Sequence, residues 1–205
     1  MRNIHSFVAI LLVGLLPITS CAQTNQRKEQ NMKAKKTLVA FFSRAGENYA
    51  VGHIEKGNTH IIAEIIAAET GGDLFRIEPV TPYPDDYTEC TEVAKRESDG
   101  KARPAVKGDA AVENYDIIFI GYPNWWGDMP MIIYNFLERY NLSGKTIVPF
   151  CTHEGSGLSG TENRLKAACK GATLLKGLAV RGATAQNAQA QVKEGVKNWL
   201  SKLKL

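Results

Sequence analysis

The sequence contains few cysteines, and they lack the spacings that are usual for metal binding. The four cysteines, at positions 21, 90, 151 and 169, include no C-x-x-C pair, which argues against a zinc site. An excess of one charge is also missing: the formal net charge is +4 and the basic residues are scattered, which argues against nucleic acid as a partner. With 44% hydrophobic residues and no internal repeat, the composition is that of one globular domain.

The sequence also has no long hydrophobic run, since its longest, residues 7–16, is too short to span a bilayer. With Arg2 ahead of it, this run predicts a signal peptide over residues 1–20. Cys21 follows small residues where the run stops, which resembles the bacterial lipobox and predicts lipidation of Cys21; ordinary cleavage near Ala22 is the alternative. The polar residues 21–36 predict a flexible tether, followed by a folded domain over residues 37–205. We therefore expect the protein in the bacterial cell envelope, lipid-anchored to a membrane and facing the periplasm.

From residue 37 onward, strand patterns alternate with helix patterns. Apolar and β-branched runs predict five strands, at residues 37–43, 74–80, 116–122, 146–152 and 173–180. Helical spacing of apolar residues predicts five helices, at residues 59–70, 86–99, 130–140, 160–169 and 186–203. Pro79 cannot donate a ladder hydrogen bond, so residues 74–80 suit an edge strand. The alternation predicts an α/β fold, a three-layer, doubly wound, five-stranded parallel sheet with helices on both faces.

Ligands of such sheets bind at the carboxyl ends of the strands, so the loops there are the candidate site. The loop after the first strand, residues 43–48, continues into Gly57, Asn58 and Thr59 at the start of a helix. Glycine and small polar residues before a helix are typical of a phosphate site, because free N–H groups and the helix dipole favour an anion. A simple helix cap at Asn58 or Thr59 is the alternative.

Two further loops have unusual compositions. In residues 123–130, Trp125 and Trp126 are adjacent and offer faces on which a planar ligand can stack, although both could instead pack beneath the loop. Residues 152–157 are rich in glycine, which lets backbone N–H groups approach a ligand closely. The neighbouring His153 and Glu154 could suggest acid–base catalysis, but such a pair on a loop is more often solvated and idle.

Residues 36–203 resemble the short-chain flavodoxins, within the flavodoxin-like proteins that have an extended first loop. The resemblance is carried by four motifs, Phe42-Ser43-Arg44-Ala45-Gly46, Gly57-Asn58-Thr59, Tyr122-Pro123-Asn124-Trp125-Trp126-Gly127 and Thr152-His153-Glu154-Gly155-Ser156-Gly157. It implies the strand order 2-1-3-4-5 and one FMN at the carboxyl ends of the first, third and fourth strands. The implied phosphate contacts are Ser43, Arg44, Asn58 and Thr59, with Ala45 in the same loop. The implied ring contacts are Pro123, Asn124, Trp125, Trp126 and Gly127 on one side, and Thr152, His153, Glu154, Gly155, Ser156 and Gly157 at the pyrimidine edge.

The chain departs from that family pattern in two places. Residues 47–56 are an insert that could be a lid, a partner surface or decoration, and Arg44 is an unusual cation that could pair with the phosphate or point to solvent. The resemblance implies electron transfer between FMN and a redox partner protein or small acceptor, with no catalytic nucleophile. The peptide between Gly127 and Asp128 is a candidate hydrogen-bond partner of the flavin N5 edge.

Two other functions stay open at this stage: an NAD(P)H-dependent FMN oxidoreductase of the quinone type, and an interaction module without flavin. Of the remaining cysteines, Cys151 is expected in the core. Cys90 or Cys169 could form a disulfide in an oxidising compartment, and the spacing of the cysteines leaves this open.

Overall fold

The structure is a computed structural model that describes residues 35–205. The predicted signal peptide, Cys21 and nearly all of the predicted tether lie outside the described residues. Lys35–Leu205 form one compact unit. Within that part of the chain, no helix is both long and apolar enough to cross a membrane.

The centre of the fold is a parallel sheet that runs through the core. Its strands are β1 (Thr37–Phe41), β4 (Asp73–Arg76), β5 (Ile117–Pro123), β6 (Thr146–His153), β7 (Thr173–Leu174) and β8 (Leu178–Arg181). Their order is β4-β1-β5-β6-β7, with β8 also paired to β6. In β1, Val39 lies opposite Leu74 on one side and Phe119 on the other. The order 2-1-3-4-5 is therefore confirmed, and β4 lies at an edge.

The fifth strand differs from the prediction because it is split into β7 and β8. β7 pairs with β6 at Thr146 and Ile147, and β8 resumes the pairing at Phe150. Pro149 lies between these two stretches of β6 and has no N–H to contribute to a ladder. Gly177, between β7 and β8, passes so close that an added Cβ would lie 3.0 Å from Pro149 Cγ.

Helices cover both faces of the sheet, which completes the predicted three layers. They are α1 (Asn58–Thr70), α2 (Tyr87–Asp99), α3 (Met131–Glu138), α4 (Thr161–Ala168), α5 (Gly182–Asn187) and α6 (Gln189–Leu200). In β1, Leu38 and Ala40 pack in one hydrophobic cluster with α3 and α4. Val39 and Phe41 point to the opposite face and pack in a second cluster with α1, α5 and α6, as the two-residue period of a strand requires.

Two local features differ from the sequence-based expectation. The predicted helix 186–203 is interrupted at Ala188, whose φ of −141° is not helical, and this divides it into α5 and α6. The insert forms an antiparallel hairpin from β2 (Gly46–Asn48) and β3 (Gly52–Ile54), which the sequence analysis did not predict.

Candidate functional site

A cavity of about 380 Å³ opens where β1, β5 and β6 end. From the sequence-predicted residues, it brings together Arg44, Asn58, Pro123, Asn124, Trp125, Trp126, Gly127, Thr152, His153, Glu154 and Ser156. Three loops that are far apart in the chain meet there because the carboxyl ends of parallel strands share one edge of the sheet. The predicted residues that do not line this cavity are Ser43, Ala45, Thr59, Gly155 and Gly157.

Ser43 and Thr59 lie beneath the cavity and support it. Ser43 is buried, and its Oγ accepts a hydrogen bond from the His60 N–H at 3.1 Å. The buried Thr59 hydroxyl lies 2.7 Å from the Thr152 hydroxyl, which joins the start of α1 to the end of β6. Ser43 and Ala45 also line a neighbouring cavity of about 250 Å³.

The start of α1 carries an unfilled set of backbone donors. The backbone N–H groups of Arg44, Ala45, Asn58 and Thr59 have no acceptor among residues 35–205. The helix cap is Gly57, without any side-chain cap, so a cap at Asn58 or Thr59 is wrong. Free N–H groups at the start of a helix suit a phosphate, whose oxygens accept such bonds. This end of the site therefore fits the phosphate of FMN.

The Arg44 guanidinium is bonded to several backbone carbonyls. Its Nε and Nη2 donate to the Pro84 carbonyl at 3.0 and 2.7 Å, and Nη2 also bonds the carbonyls of Asp85 and Asp86. Its Nη1 donates to the Glu47 carbonyl. The guanidinium therefore joins the first loop and the hairpin to the segment that precedes α2.

Asn124 joins the second loop to the third. Its Nδ2 donates to the Gly157 carbonyl at 2.9 Å and to Ser159 Oγ at 3.0 Å. Its Oδ1 accepts from the Gly127 N–H at 3.1 Å, and its own N–H donates to the Thr152 carbonyl at 2.8 Å. A single amide side chain thus sets the spacing between the two loops that line the cavity.

The two tryptophans lie in a tight turn but occupy different environments. Trp125 and Asp128 exchange backbone hydrogen bonds of 2.9 and 3.0 Å, and both central residues, Trp126 and Gly127, have positive φ, +54° and +76°. Trp125 packs edge-on against Phe42, which matches the alternative in which a tryptophan packs beneath the loop. Trp126 is 60% exposed, and its Nε1 donates to the Thr91 carbonyl of α2 at 3.1 Å. A positive φ is strained for a residue as bulky as Trp126. The exposed Trp126 indole lines the cavity.

The peptide between Gly127 and Asp128 is bonded on both sides. Its carbonyl accepts from Arg164 Nη1 at 3.0 Å, and its N–H donates to the Trp125 carbonyl. Arg164 also pairs with the Asp128 carboxylate, with Nε 3.4 Å from Oδ2. Because these bonds already hold this peptide, any bond to a ligand has to compete with Arg164.

His153 and Glu154 make separate contacts and do not form an acid–base pair. The Gly155 N–H donates to His153 Nδ1 at 2.8 Å, and burial lowers the pKa of the His153 imidazole below its usual value. His153 is therefore neutral at pH 7, with its proton on Nε2. The Glu154 carboxylate accepts from the Ala183 N–H at the start of α5 at 2.7 Å.

The cavity also has a second wall that the sequence analysis missed. We call it the hairpin–α2 wall; its residues are Asn48, Tyr49, Tyr87, Cys90, Thr91 and Ala94. The insert was visible in the sequence, but no local pattern places α2 beside it, so this wall had no sequence signal.

The three cysteines of the described region are free, buried thiols, so Cys90 and Cys169 are unpaired in the structure. Burial raises the pKa of Cys151 to about 12 and that of Cys169 to about 11, and it raises the pKa of Cys90 as well. These thiols are protonated at neutral pH and suit packing rather than nucleophilic chemistry. Among residues 35–205, no group of histidine, cysteine or acidic side chains is arranged to hold a metal ion.

The fold and the site together define a class, the doubly wound α/β proteins with a ligand cavity at the carboxyl edge of the sheet. A family model described as flavodoxin matches residues 36–203, and the chain belongs to the flavodoxin family. No curated protein sequence matches the chain.

Solved structures agree with this assignment. A candidate flavoprotein from Bacteroides eggerthii is 31% identical over 83% of this chain and 99% of its own, with a TM-score of 0.67. A second candidate flavoprotein, from Bacteroides uniformis, is 32% identical over 83% of this chain and 100% of its own, with a TM-score of 0.64. A flavoprotein from Lactobacillus acidophilus, solved in complex with FMN, is 23% identical over 77% of this chain and 99% of its own, with a TM-score of 0.58, and it shares the fold.

Proposed function

We propose that this protein binds one FMN at the carboxyl edge of its sheet and uses it to transfer electrons. The observation that carries the proposal is the cavity itself, whose lining includes Arg44 and Asn58, each with an unfilled backbone N–H, and an exposed tryptophan, Trp126. A phosphate group and a planar aromatic ring system are the two ends of FMN. The FMN complex of the Lactobacillus protein, which has the same fold, supports the choice of cofactor.

The chain offers distinct groups to each part of the cofactor. The N–H groups of Arg44, Ala45, Asn58 and Thr59 would hold the phosphate. Trp126 would stack on the ring, since it is the tryptophan that remains exposed in the cavity.

The third loop completes the site at the polar edge of the ring. The backbone N–H groups of Glu154, Ser156 and Gly157 have no acceptor among residues 35–205. They would bind the carbonyl oxygens of the pyrimidine edge. When bound, FMN supplies one- and two-electron transfer, and the protein residues bind it, orient it and limit its contact with water.

Titration of the full-length protein with FMN and with riboflavin, followed by flavin fluorescence, tests the proposal. We expect quenching by stacking and an affinity for FMN at least about tenfold higher than for riboflavin, because charge-assisted bonds to phosphate are strong. Equal affinities would refute the phosphate site. No binding of either flavin would refute the function and leave the flavin-free interaction module.

A two-electron oxidoreductase is the second candidate, and one observation favours it. The cavity extends beyond the predicted cofactor loops to the hairpin–α2 wall, which leaves surface for a small substrate. Steady oxidation of NADH or NADPH by the FMN-loaded protein with a quinone acceptor would establish the reductase. Electron transfer to a protein acceptor without such turnover would establish the carrier.

We also propose that the chain is exported and lipidated at Cys21, on the basis of residues 7–21 alone. Expression in a bacterial host with a radiolabelled fatty acid should label the wild-type protein and leave Cys21→Ser unlabelled. Equal labelling of both would contradict the proposal.

A further inference from the structure

The insert hairpin is held firmly against the segment that precedes α2. The Glu47 N–H donates to the Asp85 carbonyl at 3.1 Å. Arg44 bonds the carbonyls of Glu47, Pro84, Asp85 and Asp86. The first strand of the hairpin is therefore bonded to the segment before α2, which places the hairpin beside α2 before any ligand arrives.

This arrangement places three aromatic side chains along one side of the cavity. Tyr49, next to the hairpin tip, stacks on Tyr87 of α2 with ring centroids 6.1 Å apart and an interplanar angle of 30°. Thr91, one helical turn after Tyr87, accepts the Trp126 Nε1–H bond. Tyr49, Tyr87 and Trp126 line the same cavity and are 64%, 41% and 60% exposed. Clustered exposed aromatic surface of this kind marks a binding site.

The chemistry of the hairpin–α2 wall restricts what it can bind. Its six residues carry no charged side chain, and burial keeps the Cys90 thiol protonated by raising its pKa. The neighbouring cation, Arg44, is already bonded to backbone carbonyls. The wall therefore lacks a partner for a phosphate or carboxylate and suits a neutral, planar, aromatic molecule. It lies inside a concave cavity, where a small molecule fits better than a protein surface.

We propose that the hairpin–α2 wall is the binding subsite for a small, neutral, quinone-type electron acceptor, which stacks on Tyr49 and Tyr87 beside the cofactor. This inference rests on the proposed FMN function and names the substrate class of that site. It assigns the insert a role: the hairpin supplies one aromatic residue of the acceptor subsite. The subsite uses residues other than those proposed for the phosphate and for the third loop, so these residues can be substituted without changing either set.

The experiment uses the full-length protein loaded with FMN, and menadione as the probe. Quenching of tryptophan fluorescence in the oxidised protein measures menadione binding without turnover. Stopped-flow mixing of the dithionite-reduced protein with menadione gives an apparent dissociation constant and a limiting rate. In that reaction menadione becomes its quinol with two electrons and two protons supplied by the reduced flavin, which returns to FMN. Ferricyanide, a charged acceptor that cannot stack, serves as the comparison.

We expect Tyr49→Ala and Tyr87→Ala each to raise the menadione dissociation constants, from quenching and from stopped-flow, roughly three- to tenfold, because each variant loses one aromatic contact. The limiting rate, the ferricyanide rate and the FMN dissociation constant should stay within about twofold of wild type. Tyr87→Phe retains the ring and should behave as wild type, as should Leu74→Ala, a matched exposed apolar residue outside the cavity. Circular dichroism and thermal unfolding establish that each variant folds.

Two results would overturn the inference while leaving FMN binding intact. Unchanged menadione binding in both alanine variants would show that the wall is not an acceptor subsite. Weaker FMN binding with unchanged menadione constants would show that the tyrosines contact the cofactor instead. Failure of wild-type protein to bind FMN is a third, separate result, which refutes the proposed function and the acceptor subsite with it.

Discussion

Replacing Gly57 with alanine should strain the junction between the first loop and α1. A Cβ at Gly57 would lie 2.3 Å from the Arg44 carbonyl oxygen and 2.3 Å from Ser43 Oγ. The Arg44 oxygen belongs to the backbone, so relief requires the loop itself to move. Gly57 has φ −63° and ψ 151°, which any residue adopts, so the effect comes from this close approach alone.

The size of the effect follows from two opposing contributions. Overpacking of a tight contact costs about 1–3 kcal/mol. Alanine loses less backbone entropy on folding than glycine does, which returns about 0.4–1 kcal/mol. The free energy of unfolding should therefore fall by about 1–2 kcal/mol, and Tm by about 2–8 °C for a chain of this length.

Urea and thermal unfolding of the full-length protein, together with FMN titration, measure the outcome. Gly195→Ala is the matched control, since nothing lies within 4 Å of its Cβ position in α6. It should raise the free energy of unfolding by about 0.5–1 kcal/mol and leave FMN affinity unchanged. Gly57→Ala should also weaken FMN binding, because the loop that moves carries the phosphate donors. Wild-type stability and wild-type FMN affinity in Gly57→Ala would refute the reasoning.

Three other predictions concern the residues around the cavity. Thr152→Val leaves the buried Thr59 hydroxyl without its partner at 2.7 Å and should cost about 1–3 kcal/mol in unfolding free energy. The double variant with Thr59→Val should recover most of that loss, and additive losses in the two variants would contradict the coupling of the two hydroxyls. Burial lowers the folded-state pKa of His153 below 6.5, so the unfolded chain takes up the proton first and the free energy of unfolding falls as the pH drops below 6.5. In urea unfolding down to about pH 5, His153→Gln should flatten that pH dependence. An unchanged slope would count against this assignment. Trp126→Asn places a residue that tolerates positive φ at this position, so the unfolding free energy should change by less than about 1 kcal/mol. The affinity for FMN should fall about tenfold, and unchanged quenching of flavin fluorescence would exclude stacking on Trp126.

The strands and the loops of the site were predictable because their signals are local. An apolar, β-branched run such as residues 117–122 specifies a buried strand without reference to the rest of the chain. Once alternating strands and helices imply a parallel sheet, the loops after β1, β5 and β6 must share one edge, so their residues could be grouped in advance. The strand order and the family followed from four short motifs, each informative only in combination with the others.

The split of the fifth strand and the helix cap could not be predicted from local patterns. Residues 173–180 look like one strand, but their neighbour in the sheet contains Pro149, which interrupts the pairing. Asn58 and Thr59 are good capping residues by type, yet Gly57 occupies the cap because only a residue without Cβ fits against Ser43 and Arg44. Both outcomes depend on a residue that is distant in sequence.

The alternating strands and helices, the sheet edge that carries the site and the family of the chain all follow from local sequence patterns. Three features emerge only in the folded chain: Arg44 binds backbone carbonyls near α2, the insert is a hairpin, and Tyr49 meets Tyr87 at the cavity. The two groups of features differ in the range of the interactions behind them. Periodicity and turn chemistry act over a few residues, whereas a side chain's partners, its burial and the ligand it can meet are set by chain segments that only folding brings together.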